Sequence, residues 1–267
     1  MPRGDSNGAT DALVRAILSL GDAALRTQYV VSVIKASPVN RLAELLDRLC
    51  RRAEQAESTS REALIAVVDA LNTGGVASEV QLLREQALGE SLLSLERLLR
   101  HPARGLAADP SRSSAPPPGP SARAAPSKAE RGMTLGERKS LARKPDRETM
   151  RKLLADPHPH VVQRCLEHPR ATEDDILPLA ARRTAKAEVL AEIARSRWLH
   201  RPRVRMALVL NPATPPEIAA RLVGLLLRPE LERVARAPNV SHGVRALCLD
   251  HLARRPPAAV GPSPGSH

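Results

Sequence analysis

Aromatic residues are almost absent from this chain of 267 residues, which contains no Phe, one Tyr and one Trp. Aliphatic side chains must therefore fill the interior, and Leu, Val, Ile and Ala suit the packing of helices on one another. The hydrophobic share of 42% is normal for a globular protein. The same shortage disfavours a single-stranded nucleic-acid site, because such sites stack bases on several aromatic rings.

Cysteine is also scarce. Cys50, Cys165 and Cys248 are odd in number and far apart, so neither a disulfide framework nor a Cys-x-x-Cys motif is indicated. This cysteine usage indicates a reducing compartment. No apolar run approaches the roughly 18 residues of a membrane span, and the first residues lack the apolar segment of a secretory signal. We therefore expect a cytoplasmic protein with no membrane span.

Motifs of several enzyme classes are missing. The sequence has no Gly-x-x-x-x-Gly-Lys loop, no Gly-x-Gly-x-x-Gly turn and no Gly-x-Ser-x-Gly elbow. The first hundred residues contain no His, and no carboxylate pair stands out from their surface pattern. Because no catalytic constellation is visible, we expect a protein that is not an enzyme and that needs no cofactor.

Positive charge is abundant but unevenly placed. The net charge is +12, from 41 Lys and Arg against 29 Asp and Glu. Residues 1–100 have 12 basic and 13 acidic residues, whereas residues 134–267 have 24 basic and 14 acidic residues. A basic C-terminal half fits an acidic protein, a nucleic acid or an anionic membrane surface. The alternative is an Arg-rich surface with no partner.

Composition divides the chain into four parts, and the fold class is predicted to be all-α. Residues 9–102 contain about six amphipathic segments without strand signals, which predicts an N-terminal helical bundle. Residues 103–133 are rich in Pro, Ala and Ser and predict a disordered linker, because they bury too little apolar surface to offset chain entropy. Helical segments resume over residues 134–256, and a Pro-rich tail that is predicted to be disordered covers residues 257–267.

A pattern recurs in the C-terminal half. Residues 161–169 match residues 204–212 at an offset of 43 residues, and a partial third copy begins at Val244. Each copy reads as a short helix with an apolar stripe. In the first two copies, Pro, Thr, an acidic residue and a second apolar helix follow. Such self-similarity is typical of a helical repeat, whose units bury their apolar faces only by stacking on neighbours.

The pattern Val-Arg-x-x-(apolar)…Asn-Pro-x-Thr-Pro-x-Glu-Ile at residues 204–222 resembles the leucine-rich repeat variant, a helical repeat family similar to HEAT and armadillo repeats. Residues 161–176 fit it with His168-Pro169 in place of Asn-Pro. The resemblance implies a C-terminal α-solenoid of such units over residues 134–256, with a binding surface rather than a reaction. Some family members have an N-terminal cysteine cluster for an iron–sulfur centre, which this chain lacks. Whether the N-terminal helices are divergent repeats stays open.

Basic residues around the only tryptophan make up the candidate partner-binding site. In a solenoid, turns of successive units line up along one edge, so these side chains are predicted to form one basic stripe that pairs with carboxylates or phosphates. The stripe comprises Arg182, Arg183, Lys186, Arg195, Arg197, Trp198, Arg201, Arg203 and Arg205. The alternative role of Trp198 is to fill a gap where the repeat spacing is irregular.

The cysteines of the repeats have a structural interpretation. Cys165 and Cys248 occupy a position that is Leu in the copy at residues 204–212, which predicts that both are buried and unreactive. The only metal-like grouping combines Cys165 with His158, His160 and His168. A zinc site needs three or four converging ligands, and a cysteine in the core does not serve as one, so no metal is expected.

These observations predict a non-enzymatic adaptor or scaffold whose basic helical-repeat surface binds an acidic protein. The alternative is a sequence-nonspecific nucleic-acid-binding protein that uses the same stripe. The two functions differ in salt dependence, because phosphate binding releases counterions and weakens steeply with salt. The identity of the partner and the oligomeric state are left open by the sequence.

Overall fold

The computed structural model describes residues 4–100 and 133–255, with side chains from residue 7 onward. Within these ranges the chain is helical, with fifteen α-helices and no β-strand, which confirms the predicted all-α class. The predicted linker and tail lie almost entirely outside the described residues. No single described helix is long and apolar enough to cross a bilayer. One helix pair passes the same test only jointly, with a bend of 85° between its members.

Six α-helices form the N-terminal part. They are α1 (Gly4–Ser19), α2 (Ala23–Ala36), α3 (Val39–Glu54), α4 (Ser58–Asn72), α5 (Ala77–Gly89) and α6 (Leu93–Leu99), with a 3₁₀ turn at Gly74–Val76 between α4 and α5. Local signals place both ends of α2. The Asp22 carboxylate accepts hydrogen bonds from the amides of Ala24 and Leu25 at its start. At its end, Ser37 is extended and Pro38 follows, because the residue before a proline avoids the helical conformation and the helix stops there.

Nine shorter α-helices form the C-terminal part. They are α7 (Leu135–Leu141), α8 (Arg147–Leu154), α9 (Pro159–Glu167), α10 (Glu173–Ala180), α11 (Ala187–Ala194), α12 (Pro202–Leu210), α13 (Pro216–Leu225), α14 (Arg228–Arg236) and α15 (His242–Arg254), with a 3₁₀ turn at Arg197–His200. Proline occupies the first turn of α9, α12, α13 and α14. A proline is tolerated there because the amides of a first turn have no acceptor within the helix.

Helices α8 to α15 are arranged in two rows. One row is continuous, since α8 contacts α10, α10 contacts α12 and α12 contacts α14, whereas the other consists of two pairs, α9 with α11 and α13 with α15. Arg203 at the start of α12 pairs with Asp174 at the start of α10. Asn211, just after α12, donates to the carbonyl oxygens of Ala180 and Arg182 at the end of α10. Helices α10 and α12 therefore run parallel, and two consecutive helices make up one unit.

The structural period differs from the 43-residue offset. Helices α8, α10, α12 and α14 begin at residues 147, 173, 202 and 228, so one unit spans 26 to 29 residues. The 43-residue offset connects α9 to α12, which are three helices apart and lie in different rows. The short helices of both rows share a similar apolar stripe, and the sequence match detects that stripe rather than the repeating unit.

Helix α4 joins the two parts of the molecule. All of residues 66–72 are buried, because α1, α2 and α3 cover part of the helix and α13 covers another part. Helix α13 is likewise buried on nearly every side, as expected for helices that are apolar all round. It also lies close to α6, since a Cβ atom on Gly224 would be 3.3 Å from Leu98 Cδ1. The N-terminal and C-terminal helices therefore share one hydrophobic core.

Two arginines of the C-terminal part cap the end of α4. Arg221 of α13 is buried and donates to the Leu71 carbonyl oxygen at 2.7 Å and to Asn72 Oδ1 at 2.8 Å. Arg195 donates to the Asn72 carbonyl oxygen at 3.0 Å. The last carbonyl groups of a helix have no partner inside it, so these guanidinium groups complete the hydrogen bonding of α4.

A buried ion pair lies elsewhere on the same interface. Arg97 of α6 is 3% exposed and donates to both carboxylate oxygens of Glu54 in α3, at 2.6 to 3.0 Å. His251 of α15 lies beside the pair, with Nδ1 3.7 Å from a Glu54 oxygen. Burial, followed by the charges of Arg255 and Arg97, lowers the pKa of His251 to about 3. The imidazole is therefore neutral at pH 7 and does not form an ion pair with Glu54.

We expect His251 to make folding stability depend on pH. The unfolded chain takes up a proton with a pKa of about 6.5, whereas the folded protein does so only near a pKa of about 3. Between these values the unfolded state binds more protons. The free energy of unfolding should therefore fall as the pH drops below 6.5, by up to about 1.4 kcal/mol per pH unit. The free energy of unfolding, measured by urea denaturation at several pH values in this range, should vary less with pH for His251→Met than for the wild-type protein. An identical pH dependence would contradict the assignment.

Candidate partner-binding edge

Trp198 anchors the loop between α11 and α12, which contains four of the nine predicted stripe residues. The hydroxyl of Ser196 accepts a hydrogen bond from the Trp198 amide at 3.3 Å and caps the 3₁₀ turn. The indole is 5% exposed, and its Nε1 donates to the Leu166 carbonyl oxygen at the end of α9, at 3.0 Å. The Trp198 ring therefore packs in the interior and is not available at the surface as a stripe residue.

Arg205 also lies inside the protein. It is 7% exposed, and its Nη1 donates to the carbonyl oxygens of Leu199 at 3.0 Å and His200 at 3.2 Å. Burial lowers the pKa of Arg205, and the nearby Glu230 carboxylate partly opposes that change. The guanidinium satisfies carbonyl groups of the preceding 3₁₀ turn. Arg205 therefore supports the loop and does not contribute to a surface stripe.

Arg197 is exposed and is held in place by two contacts. Its guanidinium carbon lies 4.9 Å from the centroid of the Trp198 ring, which is a cation–π distance. Its Nη2 donates to the carbonyl oxygen of His168 in the loop between α9 and α10, at 3.0 Å. The buried tryptophan thus positions an arginine at the surface.

The other exposed arginines of this loop and of the first turn of α12 differ in their availability. The Arg201 side chain is exposed and has no ion pair or hydrogen bond among the described residues. Arg203 is exposed and pairs with Asp174 at 3.2 Å. Arg195 is also exposed, but its guanidinium pairs with the Glu192 carboxylate at 2.8 Å and donates to the Asn72 carbonyl oxygen at the end of α4. Arg201 therefore has the most freely available charge of the three.

The remaining stripe residues lie at a different edge. Arg182, Arg183 and Lys186 belong to the loop between α10 and α11, whereas the arginines described above belong to the loop between α11 and α12 and to the start of α12. Successive loops lie at opposite ends of the helix that connects them, and α11, with 8 residues, is about 12 Å long. The structure does not bring the nine residues into one continuous stripe, because the basic loops alternate between two edges.

Arg170 is a surface arginine that the sequence argument missed. It is exposed in the loop between α9 and α10, where its amide donates to His168 Nδ1 at 3.2 Å. Arg197 contacts the carbonyl group of the same histidine, so the two arginines come from neighbouring loops of one edge. A sequence alignment with a period of two helices, instead of the 43-residue offset, would have placed these two loops in register and identified Arg170. We define the arginine edge as Arg170, Arg197, Arg201 and Arg203.

Many other arginines have structural roles that reduce the basic surface. They donate to backbone carbonyl oxygens near helix ends, and the examples are Arg26, Arg84, Arg205, Arg221, Arg228, Arg245 and Arg255. None of the described glycines has the positive φ with which glycine often ends a helix. Ala56 and Ser91 adopt this conformation after α3 and α5, and at the helix ends named above guanidinium donors satisfy the last carbonyl groups. The net charge of +12 therefore overstates the charge that is available to a partner.

The cysteines and histidines also have structural roles. Cys165 and Cys248 are fully buried, as the repeat alignment predicted, and burial raises the pKa of their thiols to about 11 and about 12. His158 and His168 each accept a hydrogen bond from the backbone amide two residues further on. In the part of the chain that the structure describes, no three His, Cys, Asp or Glu side chains are grouped to hold a metal ion.

Comparison of the chain with protein-family models, with curated proteins and with solved structures finds no match. Guanidinium groups bind both carboxylates and phosphates, so the arginine edge is suited to an anionic partner. The edge is not uniformly positive, because Glu173 and Asp174 lie 4.0 and 3.2 Å from the Arg203 guanidinium.

Proposed function

We propose that this protein is a non-enzymatic cytoplasmic adaptor that binds an acidic segment of another protein on the arginine edge. We further propose that α8 to α15 form an α-solenoid of the leucine-rich-repeat-variant or HEAT-like kind. The two rows of helices and the period of 26 to 29 residues support the solenoid. The observation that carries the binding proposal is that two neighbouring loops and the first turn of α12 expose four arginines at one edge.

The mixed charge of the edge favours an acidic protein over a nucleic-acid duplex. Duplex DNA presents one negative charge per about 1.7 Å along its axis, and a protein that binds it gains most from an uninterrupted positive surface. Glu173 and Asp174 interrupt the arginine edge and would repel some of the phosphates. A peptide with spaced carboxylates can pair with Arg170, Arg197 and Arg201 and avoid both acidic side chains. Bidentate pairs of this kind give selectivity as well as affinity.

We expect Arg170→Glu combined with Arg201→Glu to weaken binding of a labelled oligoglutamate peptide at least about tenfold, because two attractive charges become repulsive. The full-length protein should be used, since both helical parts share one core. Fluorescence anisotropy at low and at near-physiological salt measures the effect. The matched control is Arg183→Glu with Lys186→Glu, which changes the net charge equally at the opposite edge and should alter binding little.

Two outcomes would contradict the adaptor proposal. An equal loss of peptide binding in both double variants would show that only the net charge matters. Binding of labelled duplex DNA that persists at near-physiological salt, and that is lost in the edge variant alone, would establish the nucleic-acid function instead.

A further inference from the structure

A cavity of about 300 Å³ lies between the two helical parts. Its walls come from the start of α4, the start of α12 and the end of α13 with the loop that leads into α14. Its lining includes Arg61, Ile65, Arg205, Leu225, Leu227 and Glu230. This volume is at the lower end of the range that small-molecule sites occupy, and a junction between two packed parts is a frequent location for such sites.

Much of the cavity wall is aliphatic. Ile65 and Leu64 of α4 face Leu225 and Leu227 from the end of α13 and the following loop. Leu227 is 46% exposed, which is high for a large aliphatic side chain. An aliphatic ligand would cover part of this apolar surface, and its burial would favour binding.

The same cavity contains two guanidinium groups that lack a carboxylate at ion-pair distance, although Glu230 lies close enough to act on both. Neither Arg61 nor Arg205 has a carboxylate within 4 Å among the described residues. Arg205 is more than nine-tenths buried, and its Nε finds no hydrogen-bond acceptor in the described part of the chain. An anionic ligand could pair with both guanidinium groups, because neither has a carboxylate at ion-pair distance.

The charges around the cavity leave a positive excess. Arg61 and Arg205 give the lining two positive charges. Glu62 is ion-paired with an arginine outside the cavity at 2.7 Å. Glu230 is the remaining carboxylate of the lining, and one of its oxygens accepts the backbone amide at the start of α14. A single negative charge on a ligand would restore the balance, whereas a second one would be repelled by Glu230.

We propose that this cavity binds a small aliphatic monocarboxylate, with its carboxylate on Arg61 and Arg205 and its chain against Ile65, Leu225 and Leu227. None of the residues of the arginine edge lines the cavity, so this site is separate from the proposed partner site. Both helical parts contribute walls. A bound ligand therefore stabilises the contact between them, because it binds the folded chain and not the unfolded one.

The test is isothermal titration calorimetry of the full-length protein with sodium octanoate, combined with thermal unfolding. We expect saturable octanoate binding and a higher Tm, whereas acetate, 1-octanol and octylammonium bind at least about tenfold more weakly because each lacks the chain or the negative charge. Arg61→Gln should weaken octanoate binding at least about tenfold. Its matched control is Arg233→Gln, which changes an exposed arginine outside the cavity and should leave binding unchanged.

Leu227→Asp provides a second variant, because it places a negative charge on the exposed part of the apolar wall and should also abolish binding. Absence of heat and of a Tm shift with the wild-type protein would overturn the proposal. Equal affinity for 1-octanol, with no effect of Arg61→Gln, would overturn it in favour of a purely apolar cavity. Inorganic phosphate that competes with octanoate and binds more tightly would identify a phosphate site instead.

Discussion

Replacement of Arg97 by Met should lower the free energy of unfolding by about 3–5 kcal/mol. Arg97 and Glu54 form a buried pair with several hydrogen bonds, and the variant leaves the carboxylate inside the protein without its cation. Neutral His251 does not replace the lost charge. Urea denaturation monitored by circular dichroism measures the change. Arg233→Met, the same substitution at an exposed position, should change stability by no more than about 0.5 kcal/mol.

A double variant shows whether the effect belongs to the pair. Combining Arg97→Met with Glu54→Leu removes both charges, and it should cost less than Arg97→Met alone because no unpaired carboxylate remains. If the double variant lost as much free energy of unfolding as the two single variants together, the two side chains would act independently. That result would contradict the assignment of a coupled buried ion pair.

Replacement of Arg221 by Met should destabilise the whole molecule by about 2–4 kcal/mol, because two buried acceptors at the end of α4 lose a charged donor. Met retains much of the side-chain length, so packing between α13 and α4 is largely preserved. Trp198 is the only tryptophan and reports on the C-terminal part, while circular dichroism reports on all helices. Both signals should shift to lower denaturant together. The control is Arg183→Met at the exposed opposite edge.

The two helical parts share one core, so the Arg221 variant should unfold in a single transition. Helix α13 covers α4, so loss of the Arg221 contacts should weaken both parts in a single transition. If Trp198 fluorescence changed at lower denaturant while most of the helical signal remained, the two parts would be unfolding separately. That outcome would contradict the role of Arg221 as a connection between them.

The local structure of this chain was predictable because its signals are local. The six N-terminal segments and the short C-terminal helices follow from apolar spacing and prolines, and the buried cysteines follow from the repeat alignment. The contact between α4 and α13 was only half predictable. Apolar residues on every side of α4 require that the helix be covered, but they do not identify the cover, which comes from Arg221 and its neighbours about 150 residues away.

The binding edge was harder to predict for a different reason. A cluster of arginines in the sequence does not show whether each guanidinium faces solvent or a carbonyl group. Arg201 and Arg205 are one helical turn apart, yet one is exposed and the other satisfies carbonyl oxygens inside the loop. The 43-residue offset also gave no sign that successive loops alternate between two edges. The predicted stripe therefore combined residues that lie at different edges, and it did not include Arg170.

The way in which the helices end bears on the composition of the chain, which has 35 arginines and 6 lysines. Arg205, Arg228 and Arg255 each bridge two carbonyl oxygens with one planar group. A lysine ammonium is compact and strongly hydrated, so it reaches fewer acceptors and costs more to bury. Substitution of arginine by lysine at these positions would keep the net charge but leave helix ends unsatisfied. Part of the preference for arginine over lysine is therefore a requirement of the fold and carries no information about the partner.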